Sequence, residues 1–159
     1  MAYVIGIVLA LGVFAFARWT RFDRDRAFYP TVVVVVASYY VLFATMSGAQ
    51  HALAAELLVM AVFVVVAVLG FRFNAWLVVA ALAAHGLFDM VHGRFVANPG
   101  VPEWWPAFCL TFDVGAAGLL AFVLARRQPQ SAPSSISTAS NGSARTTALP
   151  SRRRDQRRK

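Results

Sequence analysis

The sequence predicts an all-α fold: a polytopic transmembrane helical bundle with five spans. Of its 159 residues, 59% are hydrophobic and 14% are charged. Soluble domains are typically about 45–50% apolar. Five apolar segments each approach the roughly 20 residues that a helix needs to cross a bilayer core. Lysine and arginine are almost absent from these segments and concentrate between and after them.

We predict the spans at residues 2–18, 28–46, 52–71, 75–93 and 105–125, within a transmembrane domain that covers 1–127. The valine run at 32–36 is also typical of a buried strand, but an open sheet edge is unstable in lipid, which favours a helix. Pro30 fits the first turn of the second helix, where a missing N–H costs nothing. Arginines follow the first span and do not precede it. We therefore predict that this span is a membrane anchor and not a cleavable signal peptide.

The orientation follows from the distribution of basic residues. Of the 15 lysines and arginines, 14 fall on one side of the predicted membrane and only Arg94 falls on the other. Because basic loops stay in the cytoplasm, we expect the N-terminus outside and the C-terminus in the cytoplasm. Tryptophan is enriched at membrane interfaces, and all four tryptophans lie near span ends, at Trp19, Trp76, Trp104 and Trp105. The predicted location is a cell membrane, crossed several times.

Residues 128–159 are predicted to form a disordered basic cytoplasmic tail, because their Ser, Thr, Ala and Pro leave little to bury. The tail ends in six basic residues that could contact anionic lipid headgroups: Arg152, Arg153, Arg154, Arg157, Arg158 and Lys159. The alternative is a solvated determinant of topology. The net charge of +8 thus arises from basic segments on one side of the predicted membrane, and we do not expect nucleic acid as a partner. The single cysteine, Cys109, excludes a disulfide scaffold.

Most of the ionisable residues outside the basic segments gather toward the predicted outer side of the membrane. His85, Asp89 and His92 follow an i, i+4, i+7 spacing, which places them within an arc of about 60° on one helix face. At 1.5 Å per residue, His85 and Asp113 lie at the same depth, about 12 Å below the outer helix ends. A charge at the bilayer centre costs about 2.5–3.5 kcal/mol, so these groups should face one another. We therefore expect a polar pocket that opens outward, with Gly86, Gly115 and Gly118 allowing neighbouring helices to approach closely.

Three uses fit this group of residues. The one that the sequence favours is a structural or interaction network of hydrogen bonds between helices. The second is a site for a divalent metal such as zinc, with His85, Asp89, His92 and Asp113 as ligands. The residues that would surround and orient these ligands are Glu56, His51, Tyr39 and Tyr40. Ligands one and two turns apart on one helix rarely bind one ion together. His85 with Asp89, or Asp89 with His92, joined by Asp113 is therefore the easier geometry.

A metal site of this kind is compatible with a metal-dependent hydrolase that acts at the outer headgroup region. The third use is proton or ion transport, in which carboxylates and histidines form a relay. The inner half of the predicted bundle is wholly apolar, so such a relay would stop halfway. The sequence leaves enzymatic activity and oligomeric state open.

The run His85-x3-Asp89-x2-His92, followed by Asn98-Pro99, Pro102, Cys109 and Asp113, resembles a family of small, uncharacterised bacterial multi-span membrane proteins of unknown function. Their pattern is H-x3-D-x2-H, an N-P turn, and then a Cys and an Asp in the next helix. The resemblance covers about residues 80–120 and differs in the spacing from Cys to Asp. It implies a bacterial inner-membrane protein and supports the importance of the site, without implying a reaction.

Overall fold

The computed structural model describes residues 1–127, and this part of the chain consists of helices without strands. The long helices are α1 (Ala2–Thr20), α2 (Phe28–Met46), α3 (Gln50–Arg72), α4 (Ala75–His92) and α5 (Trp105–Arg127), with a short 3-10 helix at Phe22–Arg24. All five are long and apolar enough to cross a membrane, which confirms the predicted five-helix fold. Their bounds lie within two residues of the predicted spans. The predicted basic tail at 128–159 lies outside the described residues.

The outward faces of the helices carry large apolar side chains. On α3, for example, Leu58, Val62 and Val65 are 68%, 55% and 57% exposed. In water such a surface would aggregate, whereas in lipid it is the expected exterior of a bundle. The five apolar helices therefore indicate a multi-pass membrane protein.

Local chemistry explains several helix ends. Asn74 precedes α4, and its side-chain oxygen accepts a hydrogen bond of 3.0 Å from the backbone N–H of Trp76, as a helix cap does. At the other end of α1, the buried carboxylate of Asp23 accepts a hydrogen bond of 2.7 Å from Arg18 and one of 3.4 Å from Arg127. These contacts join the α1–α2 connection to the end of α5. We call this end of the bundle the arginine end, and the opposite end, which carries the α4–α5 loop, the loop end.

The helices pack in the spatial order α1, α5, α4, α3, α2, with a smaller contact between α2 and α4. The close approach of α4 to α5 depends on Gly86. A Cβ at this position would lie 3.1 Å from Cβ of Asp113 and 3.2 Å from the carbonyl oxygen of Leu110. The expectation for Gly118 is wrong, because no non-local atom in the described structure lies within 4 Å of where its Cβ would be. Gly115 has one such neighbour, Cβ of Ala10, at 3.2 Å.

The buried side chains differ in polarity between the two ends of the bundle. Toward the arginine end it is apolar, and its largest fully buried members are Val33, Val78 and Leu82. Toward the loop end the bundle buries five ionisable side chains, at Glu56, His85, Asp89, His92 and Asp113. The packing therefore assembles nearly all of its buried polar chemistry in one half of the bundle.

Candidate functional site

Three of the buried ionisable residues converge between α4 and α5. His85 Nδ1 lies 2.8 Å from Asp113 Oδ2 and 3.6 Å from Asp89 Oδ2. One ligand atom from each residue can be chosen so that all three lie within 4.8 Å of one another. The three side chains are at most 1% exposed. We call His85, Asp89 and Asp113 the inner centre.

The helices position the inner centre in a simple way. His85 and Asp89 are one turn apart on α4, so their side chains lie on the same face. Asp113 comes from α5, which reaches this face because Gly86 has no side chain to hold the two helices apart. The His85 ring also packs against the Phe63 ring in a T-shaped arrangement, with centroids 4.8 Å apart and planes at 74°. The imidazole of His85 therefore contacts two carboxylates and an aromatic ring.

The carboxylates of the inner centre are incompletely hydrogen-bonded. Both side-chain oxygens of Asp89 and Oδ1 of Asp113 are buried without a hydrogen-bond partner among the described residues, and no hydrogen bond joins the two acids. The Tyr40 hydroxyl and the Cys109 thiol are the other polar groups beside Asp89. Both groups are near enough to Asp89 to interact with its carboxylate, but neither is in hydrogen-bonding geometry with it, and the Tyr40 hydroxyl has no other partner within residues 1–127. Buried polar groups are nearly always paired, so these unpartnered oxygens require an explanation.

His92 does not join the inner centre, although it shares a helix face with His85 and Asp89. Its Nε2 lies 3.0 Å and 3.1 Å from the two carboxylate oxygens of Glu56 on α3. His92 is 3% exposed and Glu56 is 1% exposed. The residues predicted as one metal site therefore lie in two places: the inner centre, and a Glu56–His92 pair nearer the loop end.

Asn98 in the α4–α5 loop completes the Glu56–His92 pair. Its side-chain N–H group donates to Glu56 Oε1 at 2.8 Å and to the carbonyl oxygen of Tyr40 at 3.0 Å. Its side-chain oxygen accepts from the backbone N–H of Gly100 at 3.2 Å. The loop can lie this close to α2 because Gly100 has no side chain, and a Cβ there would collide with the carbonyl oxygen of Phe43. The N-P pair indicates a turn and does not by itself predict this contact of Asn98 with Glu56.

The remaining predicted residues occupy different positions. Tyr40 bridges the two groups, because its ring lies 4.0 Å from the His92 ring and its hydroxyl lies beside Asp89. Tyr39 points elsewhere, with its ring 4.9 Å from Trp105. His51 is exposed at the loop end, where its Nε2 lies 3.1 Å from the carbonyl oxygen of Ala97.

The expected outward-opening pocket differs from what the structure shows. A depression of about 570 Å³ exists at the loop end, and its lining includes His51, His92, Asn98 and Glu103. It does not include any residue of the inner centre. The ring of His92 and the loop held by Asn98 separate the two. The inner centre is therefore enclosed by neighbouring side chains. The depth estimated from the rise per residue does not predict this enclosure.

The inner centre offers one imidazole nitrogen and up to four carboxylate oxygens at a site that the described residues shield from solvent. Such a donor set can bind a proton or a divalent cation. Comparison of the chain with protein families, with curated proteins and with solved structures found no match in any of the three. The resemblance seen at residues 80–120 therefore stays a prediction.

Proposed function

We propose that this multi-pass membrane protein binds one divalent transition-metal ion, such as zinc, through His85, Asp89 and Asp113. The observation that carries the proposal is the set of three buried carboxylate oxygens without a hydrogen-bond partner, two on Asp89 and one on Asp113. A network whose only role was to join helices would be expected to pair these atoms. Each unpartnered buried group costs about 1–3 kcal/mol.

The distances support a metal ligand set. Zinc binds imidazole nitrogen and carboxylate oxygen at about 2.0–2.2 Å, so ligand atoms around a tetrahedral ion lie about 3.4 Å apart. His85 Nδ1 and Asp89 Oδ2 are separated by 3.6 Å, close to that spacing. The Nδ1–Oδ2 distance to Asp113, 2.8 Å, would lengthen by a few tenths of an ångström as the hydrogen bond is replaced. The thiol of Cys109, beside Asp89, is a soft donor within the same enclosed space.

Charge supports the same proposal. Two ionised aspartates with a neutral histidine carry two negative charges into a region of low dielectric, which is costly. A divalent cation neutralises that charge. A proton on His85 or on one aspartate is the alternative, but it leaves both side-chain oxygens of Asp89 without a hydrogen-bond partner among the described residues.

Burial supports a metal that stabilises the bundle over one that hydrolyses a substrate. A hydrolytic metal needs an open coordination position that water and substrate can reach. The three ligands here are at most 1% exposed. Transport across the membrane has less support, because Val78 and Leu82 fill the interior between the inner centre and the arginine end.

The proposal is tested by purifying the full chain in mild detergent without any chelator and measuring bound metal by elemental mass spectrometry. We expect about one divalent ion per chain, retained through gel filtration as expected of a buried site. Asp89→Asn and Asp113→Asn should lose it. The matched control is Glu56→Gln, which alters an equally buried carboxylate outside the inner centre and should keep the ion.

Two outcomes would overturn the proposal. The first is a folded wild-type protein that contains no metal and takes up none when zinc or manganese is added. The second is an equal loss of metal in Glu56→Gln and Asp89→Asn, since that would assign binding to a different group of residues. Circular dichroism of each variant separates loss of metal from loss of fold.

A further inference from the structure

We infer that Glu56 and His92 form a second, transient cation site, through which a divalent ion passes from the loop-end depression to the inner centre. The inference rests on the proposed metal function and concerns how the ion reaches a site that is closed on all sides. It assigns to Glu56 and His92 a role distinct from that of His85, Asp89 and Asp113. The residues that support it are contiguous from the surface inward.

The path begins at the depression of about 570 Å³, which is lined by imidazole, amide and carboxylate groups as well as by apolar side chains. His92 is among the lining residues, and at 3% exposure it forms the inner wall of the depression. Its Nε2 contacts Glu56, which is 1% exposed and lies behind it. An ion in the depression therefore meets His92 first and Glu56 next.

The path continues along α4. Successive polar side chains on its inner face, His92, Asp89 and His85, are displaced by about 4.5 Å and 6 Å along the axis, given a rise of 1.5 Å per residue. Tyr40 fills the space between the first two, with its ring 4.0 Å from that of His92 and its hydroxyl beside Asp89. Each step thus joins one donor group to the next, and Tyr40 is the side chain that must move aside for an ion to pass from His92 to Asp89.

The Glu56–His92 pair is suited to hold a cation briefly. His92 Nε2 and Glu56 Oε1 are 3.0 Å apart, and an arriving divalent ion can take the place of the proton between them. That proton is released to water in the depression, and the ring stays neutral by taking up a proton from water at Nδ1. Asn98 remains bonded to Glu56 Oε1 at 2.8 Å during this exchange, and Oε2, which lies 3.1 Å from His92 Nε2, can bind the ion once that contact opens. Two ligands hold an ion less tightly than the three of the inner centre, so the ion moves on.

Access from the opposite direction is closed. Below the inner centre the interior is filled by Val33, Val78 and Leu82, none more than 1% exposed. These side chains offer an ion no ligand. The depression is accordingly the route with donor groups along its length.

The experiment measures how fast metal-free protein loads Co²⁺. Full-length protein in detergent is stripped with chelator, exchanged into chelator-free buffer and mixed with Co²⁺ in a stopped-flow instrument, with the visible absorption of the bound ion as the signal. Glu56→Gln preserves the shape of the side chain and the hydrogen bond from Asn98. We expect it to slow loading about tenfold, a factor that corresponds to about 1.4 kcal/mol in the barrier. The final occupancy should equal that of the wild type.

A second pair of variants tests the path without touching Glu56. Gly93 lines the depression, and its Cβ position has no non-local atom of the described residues within 4 Å. The large side chain of Gly93→Phe can therefore begin without a clash and occupy part of the depression. We expect it to slow loading as well. Gly12→Phe is the matched control, because the site of its Cβ is equally open in residues 1–127 but lies on α1, outside the depression.

The outcomes separate this inference from the proposed function. Unchanged loading rates in Glu56→Gln and Gly93→Phe, with full final occupancy, overturn the path while leaving metal binding intact. Loss of final occupancy in Glu56→Gln also overturns it, because Glu56 would then be a permanent ligand. A wild-type protein that never binds Co²⁺ or zinc refutes the proposed function itself.

Discussion

His85 on α4 and Asp113 on α5 form a buried contact of 2.8 Å between Nδ1 and Oδ2, across 28 residues of chain. The contact requires a close approach of the two helices, and Gly86, the residue after His85, permits it because it has no side chain. Asp89 adds a second carboxylate to the same nitrogen at 3.6 Å. The stability of this half of the bundle should therefore depend on what neutralises the two acids.

Asp89→Asn should affect stability in opposite directions with and without metal. In chelator-treated protein we expect it to match or exceed the wild type, because it removes a buried charge whose oxygens have no partner. At zinc a hundredfold above the dissociation constant, the wild type should gain about 2.7 kcal/mol and the variant much less. Thermal unfolding in detergent measures both. His51→Ala, which changes an exposed histidine at the loop end, should keep the full gain. Equal zinc shifts in wild type and Asp89→Asn would contradict the prediction.

Asn98→Ala should loosen the α4–α5 loop. It removes two donated hydrogen bonds, one of them to the buried Glu56 carboxylate, and we expect a loss of about 2 kcal/mol in the free energy of unfolding. Hydrogen exchange should rise at residues 93–104. Asn74→Ala is the control, since it removes a helix cap at the arginine end, should cost about 1 kcal/mol and should leave loop exchange unchanged. Unaltered loop exchange in Asn98→Ala would show that the loop is held by other contacts.

Gly86→Leu should separate α4 from α5. Its side chain has no space beside Asp113 and Leu110, so we expect a loss of about 1–3 kcal/mol from overpacking, together with loss of bound metal. Gly118→Leu is the control, because within the described structure no non-local atom lies near its Cβ position. We expect it to be neutral or slightly stabilising, since leucine has a higher helix propensity than glycine. Metal content and thermal midpoint report the two effects. Identical behaviour of the two variants would refute the close-approach argument.

The predicted orientation places the loop end outside the cell. Ala97→Cys, in the α4–α5 loop, should react with a membrane-impermeant thiol reagent on intact cells. Phe73→Cys, in the α3–α4 turn, is 74% exposed and should react only after the membrane is opened. The native Cys109 is 1% exposed and gives little background. The reverse labelling pattern would invert the topology.

The ends of the helices were predictable to within two residues. Hydropathy is a local property, so each apolar stretch of about 20 residues can be recognised without knowledge of the rest of the fold. The same spacing argument correctly places His85 and Asp89 on one face of α4. It also places His92 there, yet the structure pairs His92 with Glu56 on α3. Neighbouring positions on one helix face can meet different helices, because the neighbour at each depth depends on how the bundle packs.

The sequence by itself therefore determined the five apolar helices, the separation of basic from acidic residues, and the candidate residues of the site. The tertiary structure decided which of these meet: Asp113 with His85 through the gap at Gly86, and Glu56 with His92 beneath Asn98. It also enclosed the inner centre behind the His92 ring. Hydrophobic periodicity acts within one helix, whereas the pairing of polar side chains depends on distances between helices, which only the packed bundle specifies.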